Sequence, residues 1–181
     1  MVTGRLLAAV LLVASTAIPV QVATASEVTK QEPLAINWKS LTPDIDPEIY
    51  KKYRTGKLSQ TDLRLYMETF HNTARTELAG KNVALTGYLL PQNLQENGKS
   101  TEFLFVRKIT SWSHTDQVLK PNQATLVNYP EGLKFNQSTQ VRYQVTGKMN
   151  VGDYTGDDIR SFYKIEATDI KVKRRRFNEY D

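Results

Sequence analysis

Chemistry in this chain has to come from few groups. There are two histidines, His71 and His114, and no cysteine among 181 residues. Thiol nucleophiles, thiolate metal ligands and disulfides are therefore excluded at the outset. The most suggestive spacing is Trp112, His114 and Asp116, an aromatic ring, an imidazole and a carboxylate at alternate positions, with Lys120 just beyond. Such a set can hold a small ligand or a partner's polar group, but zinc sites take three or four protein ligands and only two stand together here. His71 follows the apolar Phe70 in a helical pattern and reads as a surface histidine. The densest carboxylate cluster, Gly152-Asp-Tyr-Thr-Gly-Asp-Asp158, lacks the alternate oxygen ligands and closing glutamate of a calcium loop, and reads as a polar hairpin turn. No G-x-S-x-G elbow, phosphate loop or dinucleotide fingerprint is present, so no enzyme class is indicated and no cofactor or metal is expected. A hydrolase with a carboxylate pair assembled only in three dimensions stays open as an alternative.

The remaining concentration of charge is terminal. Lys171, Lys173, Arg174, Arg175 and Arg176 form a basic tail, whereas Ser26 to Ile170 carries 18 Lys and Arg against 17 Asp and Glu. The net charge of +5 thus rests largely on the tail, and a uniformly basic nucleic-acid surface is not indicated. Attraction of the tail to an anionic membrane surface is one expectation, and a solvated tail is the other.

Arg5, the apolar run from Leu6 to Ala14 and the small-x-small pattern Ala23-Thr24-Ala25 read as a cleavable signal peptide over residues 1–25. The expected location is periplasmic or secreted, with no transmembrane segment after cleavage. Residues 26–37 read as a flexible leader, 38–172 as one domain and 173–181 as the tail. Asp46-Pro47 predicts a helix start, with a short helix to about Arg54. Ser59 predicts the cap of a longer helix over 60–78, whose stripe is Leu63, Tyr66, Met67, Phe70, Ala74 and Leu78. Beyond Gly80 the period falls to two, and strands are predicted over 81–90, 101–109, 123–129, 139–149 and 161–172. The fold class is mainly β (α+β), a five-stranded antiparallel OB-like barrel preceded by two helices, with Gly87 bending the first strand. A flat five-stranded sheet carrying the long helix is the runner-up.

The runs Trp38-x-x-Leu41-x-Pro43, Leu78-Ala-Gly80-Lys-Asn-Val83-Ala-Leu85-Thr-Gly87-Tyr88-Leu-Leu-Pro91, Glu102-Phe-Leu-Phe-Val106, Asn122-Gln123 and Val145-Thr-Gly147 resemble a family of exported bacterial proteins known as domain of unknown function 3299. The resemblance covers roughly Trp38 to Ile170 and implies an OB-like barrel linked to envelope transport or metal handling. It also implies a cysteine in the loop after the second strand, whereas Thr110 to Pro121 has none. The expectation is a non-catalytic binding or accessory module that presents the Trp112–Lys120 rim loop to an envelope protein or small ligand. A single-stranded nucleic-acid-binding barrel is the alternative, with Tyr88, Phe103, Phe105, Tyr143 and Tyr163 as stacking aromatics.

Overall fold

The structure is a computed structural model that describes residues 32–109, 119–135, 141–156 and 159–173. The expected signal peptide lies outside the described residues. Strand β1 (Leu34–Ala35) pairs in parallel with Val83 and Ala84, so the end of the stretch read as leader is part of the sheet. Both residues are apolar, and two positions are too few to show the alternation of a strand. A 3-10 turn, Trp38–Leu41, follows, closed by reciprocal bonds between Asn37 and Ser40. It delivers Trp38 and Leu41 to the barrel core.

Helix α1 (Pro47–Arg54) starts as the sequence requires, with Asp46 Oδ1 accepting the Glu48 and Ile49 amides and proline at the first position. Helix α2 (Gln60–His71) is capped by Ser59, whose Oγ accepts the Asp62 amide at 3.1 Å. The predicted end at Leu78 is corrected to His71. No glycine or proline breaks the pattern there. The break is held from elsewhere: the Asn122 side-chain amide donates to the Phe70 and Thr73 carbonyls at 2.8 and 3.3 Å, and the Arg75 amide donates to the Tyr163 hydroxyl at 2.6 Å. A separate 3-10 turn, Thr76–Leu78, then turns Leu78 into the core.

Strands β2 (Asn82–Pro91), β3 (Lys99–Val106), β4 (Ala124–Lys134), β5 (Arg142–Thr155) and β6 (Arg160–Lys173) close in the order β2-β3-β4-β6-β5, with β5 returning to β2. The chain forms the OB-like barrel, and closure excludes the flat sheet. One pairing differs from the all-antiparallel expectation: β4 and β6 run parallel, from Leu126↔Lys164 to Asn128↔Glu166. An odd number of strands cannot alternate direction all the way round a closed ring, so one parallel neighbour is obligatory.

The interior is filled by Val83, Leu85, Leu89, Phe103, Phe105, Val127, Val145, Met149, Tyr163 and Ile165, with Leu41 and Leu78 from the preceding turns. Burial of this order supplies the stability that disulfides would otherwise provide. Two glycines are required by close approach. At Gly87 an added Cβ would lie 2.5 Å from the Val106 carbonyl oxygen and 2.8 Å from Trp38, whose indole N–H donates to the Thr86 carbonyl at 2.7 Å. Its role is to seat Trp38 beside Phe105. At Gly147 a Cβ would lie 2.2 Å from the Glu166 carbonyl oxygen, where β5 and β6 shift register.

Candidate functional site

Strand alternation sends one set of residues on β2, β3 and β4 inward and the other set onto the outer wall. In this barrel the outer set is apolar as well. Tyr88, Val106 and Ala124 form one cross-strand row, and Leu90, Leu104 and Leu126 the next. Leu104, Val106 and Ala124 are buried, while Tyr88, Leu90, Leu126, Leu119 and Ile159 pack around them half-exposed. Leu119 comes from the return of the β3–β4 loop, and Ile159 from the β5–β6 hairpin. The hairpin comes close: a Cβ on Gly156 would meet Leu126 at 3.4 Å and Gln92, just after β2, at 3.9 Å. The patch therefore lies between the loop that follows β2 and the hairpin that precedes β6.

Charge borders it on several sides. Lys164 stands opposite Leu126, and Arg142 opposite Tyr88. Lys164 pairs with Glu166 at 3.1 Å, and Glu166 also accepts a 2.6 Å bond from the Asn128 amide. Partial burial opposes ionisation of Glu166, but these two donors outweigh it and hold its carboxyl below the usual range. The hairpin read as a carboxylate turn is in part an extension of β5 as far as Thr155. Its Asp153 is engaged by Arg160 through two bonds of 2.7 and 2.8 Å, and the hydrogen bond from that guanidinium lowers its pKa. Asp157 and Asp158 lie outside the described residues.

Of the residues singled out in the sequence, Trp112, His114 and Asp116 lie outside the described residues. Lys120 is exposed at the return of their loop and stands near His71 at the end of α2. Burial, and secondarily the charge of Lys120, lower the His71 pKa below its ordinary 6.5. Next to Lys120, Asn122 is fully buried and fastens the loop to α2 through the bonds described above. Its side-chain oxygen and the hydroxyl of buried Thr125 have no protein partner. Lys171 and Lys173 belong to β6, paired with Gln144 and Arg142, and Lys171 also bonds Asp169 at 2.7 Å. Lys171, named with the basic tail, thus lies in the strand predicted over 161–172, and that strand runs one residue further, to Lys173, the first position of the tail read over 173–181. Arg174, Arg175 and Arg176 lie outside the described residues.

Three of the aromatics weighed for base stacking, Phe103, Phe105 and Tyr163, are sealed in the barrel core. Among the described residues no group of three or more His, Asp or Glu side chains is placed to hold a metal ion. No described helix is long and apolar enough to cross a membrane. The outer-wall patch went unread in the sequence, although a signal was present. Val83 to Leu90 and Phe103 to Val106 are apolar at nearly every position, and a strand that is apolar on both faces is one whose two faces are covered.

Comparison with known proteins agrees with this geometry. A crystal structure of a DUF3299 family protein from Pseudomonas aeruginosa PAO1 superposes with a TM-score of 0.57 at 20% identity, covering 80% of this chain and 99% of that one. At that identity the likeness concerns the fold alone. No curated protein matches the sequence. The family model described as "Protein of unknown function (DUF3299)" matches residues 38–172, from the tryptophan seated over Gly87 to the end of β6, and the chain belongs to that family.

Proposed function

We propose that the chain is an exported, non-catalytic binding module of the bacterial envelope that holds a protein segment or small ligand against the outer wall of β2, β3 and β4. The observation that carries this reading is the apolar patch of Tyr88, Leu90 and Leu126 between the β2–β3 loop and the β5–β6 hairpin. Barrels of this topology bind on that face, between those two loops, by fold-level analogy. The packed interior leaves the outside as the place for a ligand. Lys120 and the Trp112–Asp116 segment belong to the loop whose return, at Leu119, packs on the same patch. Export rests on Arg5, the apolar run and Ala23-Thr24-Ala25, and N-terminal sequencing of exported protein should begin at Ser26.

The test is an amide NMR titration of labelled protein with envelope extract fractions, a single-stranded oligonucleotide and divalent metal salts. Envelope fractions should move the amides of Tyr88, Leu90, Leu126 and Ile159, and Leu126→Glu should abolish the response. Binding that maps elsewhere, or that survives Leu126→Glu, overturns the reading. An oligonucleotide response on this wall would replace it with the nucleic-acid alternative.

A further inference from the structure

Helix α1 has an amphipathic arrangement that the barrel does not use. At 100° per residue, Ile49, Tyr53 and Tyr50 occupy an arc of about 100°, with Lys52 about 60° beyond one edge and Arg54 about 40° beyond the other. No residue of the helix is buried. Tyr50 and Tyr53 are 52% and 57% exposed, and Ile45, just before the helix, is 54% exposed. Lys51, Lys52, Arg54 and Lys57 make no ion pair among the described residues. Of the acidic groups of the segment, Asp46 caps α1 and Asp44 pairs with Arg75 at 3.0 Å, while Glu48 lies about 100° beyond Ile49, away from the strip. What faces outward is an apolar, tyrosine-rich strip bordered by cations.

We infer that α1 docks on an anionic lipid surface, with Ile45, Tyr50 and Tyr53 at headgroup depth and Lys52, Arg54 and Lys57 against lipid phosphates. Two features favour lipid over a protein partner. Half-exposed tyrosines of roughly 200 Å² each, with one isoleucine, offer about 300 Å², well short of the roughly 800 Å² per partner of a stable protein interface. Tyrosine also suits the boundary between headgroup and acyl chain, its ring apolar and its hydroxyl wet, while lysine stems reach from the apolar strip to the phosphates. This surface shares no residue with the outer-wall patch, and its failure would leave the binding-module reading untouched.

The absence of cysteine makes the test direct, because Tyr53→Cys provides a single site for an environment-sensitive dye in the full chain. Leu94→Cys, exposed in the loop after β2, is the control. With vesicles of phosphatidylglycerol and phosphatidylcholine the dye at position 53 should shift to the blue and the dye at position 94 should not. Pure phosphatidylcholine should give no shift at either position. In co-sedimentation, Lys52→Glu with Arg54→Glu should weaken partition at least about tenfold, taking about 1 kcal/mol for each basic residue near the surface, with an unchanged melting temperature. The inference is overturned if position 53 stays silent, if neutral vesicles bind as well, or if the charge-reversed protein partitions like the original. It is also overturned if the shift appears without vesicles at concentrations where light scattering reports a dimer, since the strip would then be an interface between copies. Binding lost only on removal of residues after Lys173, with the α1 variants unaffected, assigns membrane attraction to the tail and overturns it too.

Discussion

The barrel wall and the helical pair ahead of it are held by opposite means. In the wall, β5 and β6 approach so closely at Gly147 that no side chain fits, and Trp38 occupies the space that a Cβ on Gly87 would need. In the pair, neither α1 nor α2 buries a residue, and both starts rest on side-chain caps from Asp46 and Ser59. One hydrogen bond, from the Asp46 amide to the Tyr66 hydroxyl at 3.0 Å, links the start of α1 to α2. The difference teaches where this chain is intolerant. Wall positions are constrained by several strands at once, so small changes of volume are felt; helix positions answer mainly to their own sequence neighbours.

The strongest way to break the comparison is to add one methyl group to the wall. Gly147→Ala should cost about 3–4 kcal/mol, because the Cβ meets backbone that cannot swing aside. Gly87→Ala should cost about 1–3 kcal/mol, since its Cβ meets one backbone atom, the Val106 carbonyl oxygen at 2.5 Å, and otherwise side chains that can give, whereas all three nearest atoms at Gly147 are backbone. Chemical denaturation measures both, and a loss under 0.5 kcal/mol at Gly147 would mean that the β5–β6 approach is looser than described. Next comes Tyr163→Phe. That hydroxyl donates to the Leu41 carbonyl at 2.7 Å and accepts the Arg75 amide, so it joins the wall to the turns on either side of the helical pair. Its removal leaves a buried carbonyl and amide without partners and should cost about 1–3 kcal/mol. Hydrogen exchange should rise at Arg75 and Thr42 ahead of the barrel strands; exchange that rises uniformly would show that the tie is not local.

Truncation sharpens the boundary of the wall. Removing residues after Ile170 deletes the β6 pairings with Gln144, Tyr143 and Arg142 and should cost about 1–2 kcal/mol, whereas removal after Lys173 should leave stability unchanged. Equal melting temperatures would mean that Lys171 to Lys173 behave as tail. In the helical pair, Asp46→Ala removes the α1 cap and should cost about 0.5–1 kcal/mol locally. Increased amide exchange confined to residues 47–54 would confirm the independence of that helix. The smallest effect is electrostatic. The pKa of His71 is lower folded than unfolded, so in the window between the two the unfolded chain binds more protons. Its contribution to stability is complete above about pH 6.5 and declines as pH falls through the folded value. His71→Gln should flatten this slope slightly and leave stability at pH 8 unchanged. A slope identical in both proteins would remove His71 from the account.

Much of this fold was legible because its signals are local. The Asp46-Pro47 start, the Ser59 cap and the alternation around Val145 and Met149 each involve residues within a few positions of one another, and each stands in the structure as read. Five strands with a glycine at position 87 were enough to indicate a closed barrel, although the physical role of Gly87 proved to be room for the Val106 carbonyl and Trp38. The end of α2 was not legible, because its apolar stripe continues past His71 and the groups that stop it, Asn122 and Tyr163, are distant in sequence. The same holds for β1, whose two residues are ordered only by the edge of β2, and for Lys173, whose charge suggested tail and whose partner across the sheet is Arg142. The outer-wall patch belongs with these. Apolar residues on β2, β3 and β4 were visible one strand at a time, but only closure of the barrel separates an inner set from an outer set and brings Leu119 and Ile159 onto the latter. Sequence determined which segments become helix or strand, since that depends on capping and periodicity within each segment; tertiary structure decided where α2 stops and which apolar face remains outside, since both depend on contacts between segments far apart in the chain.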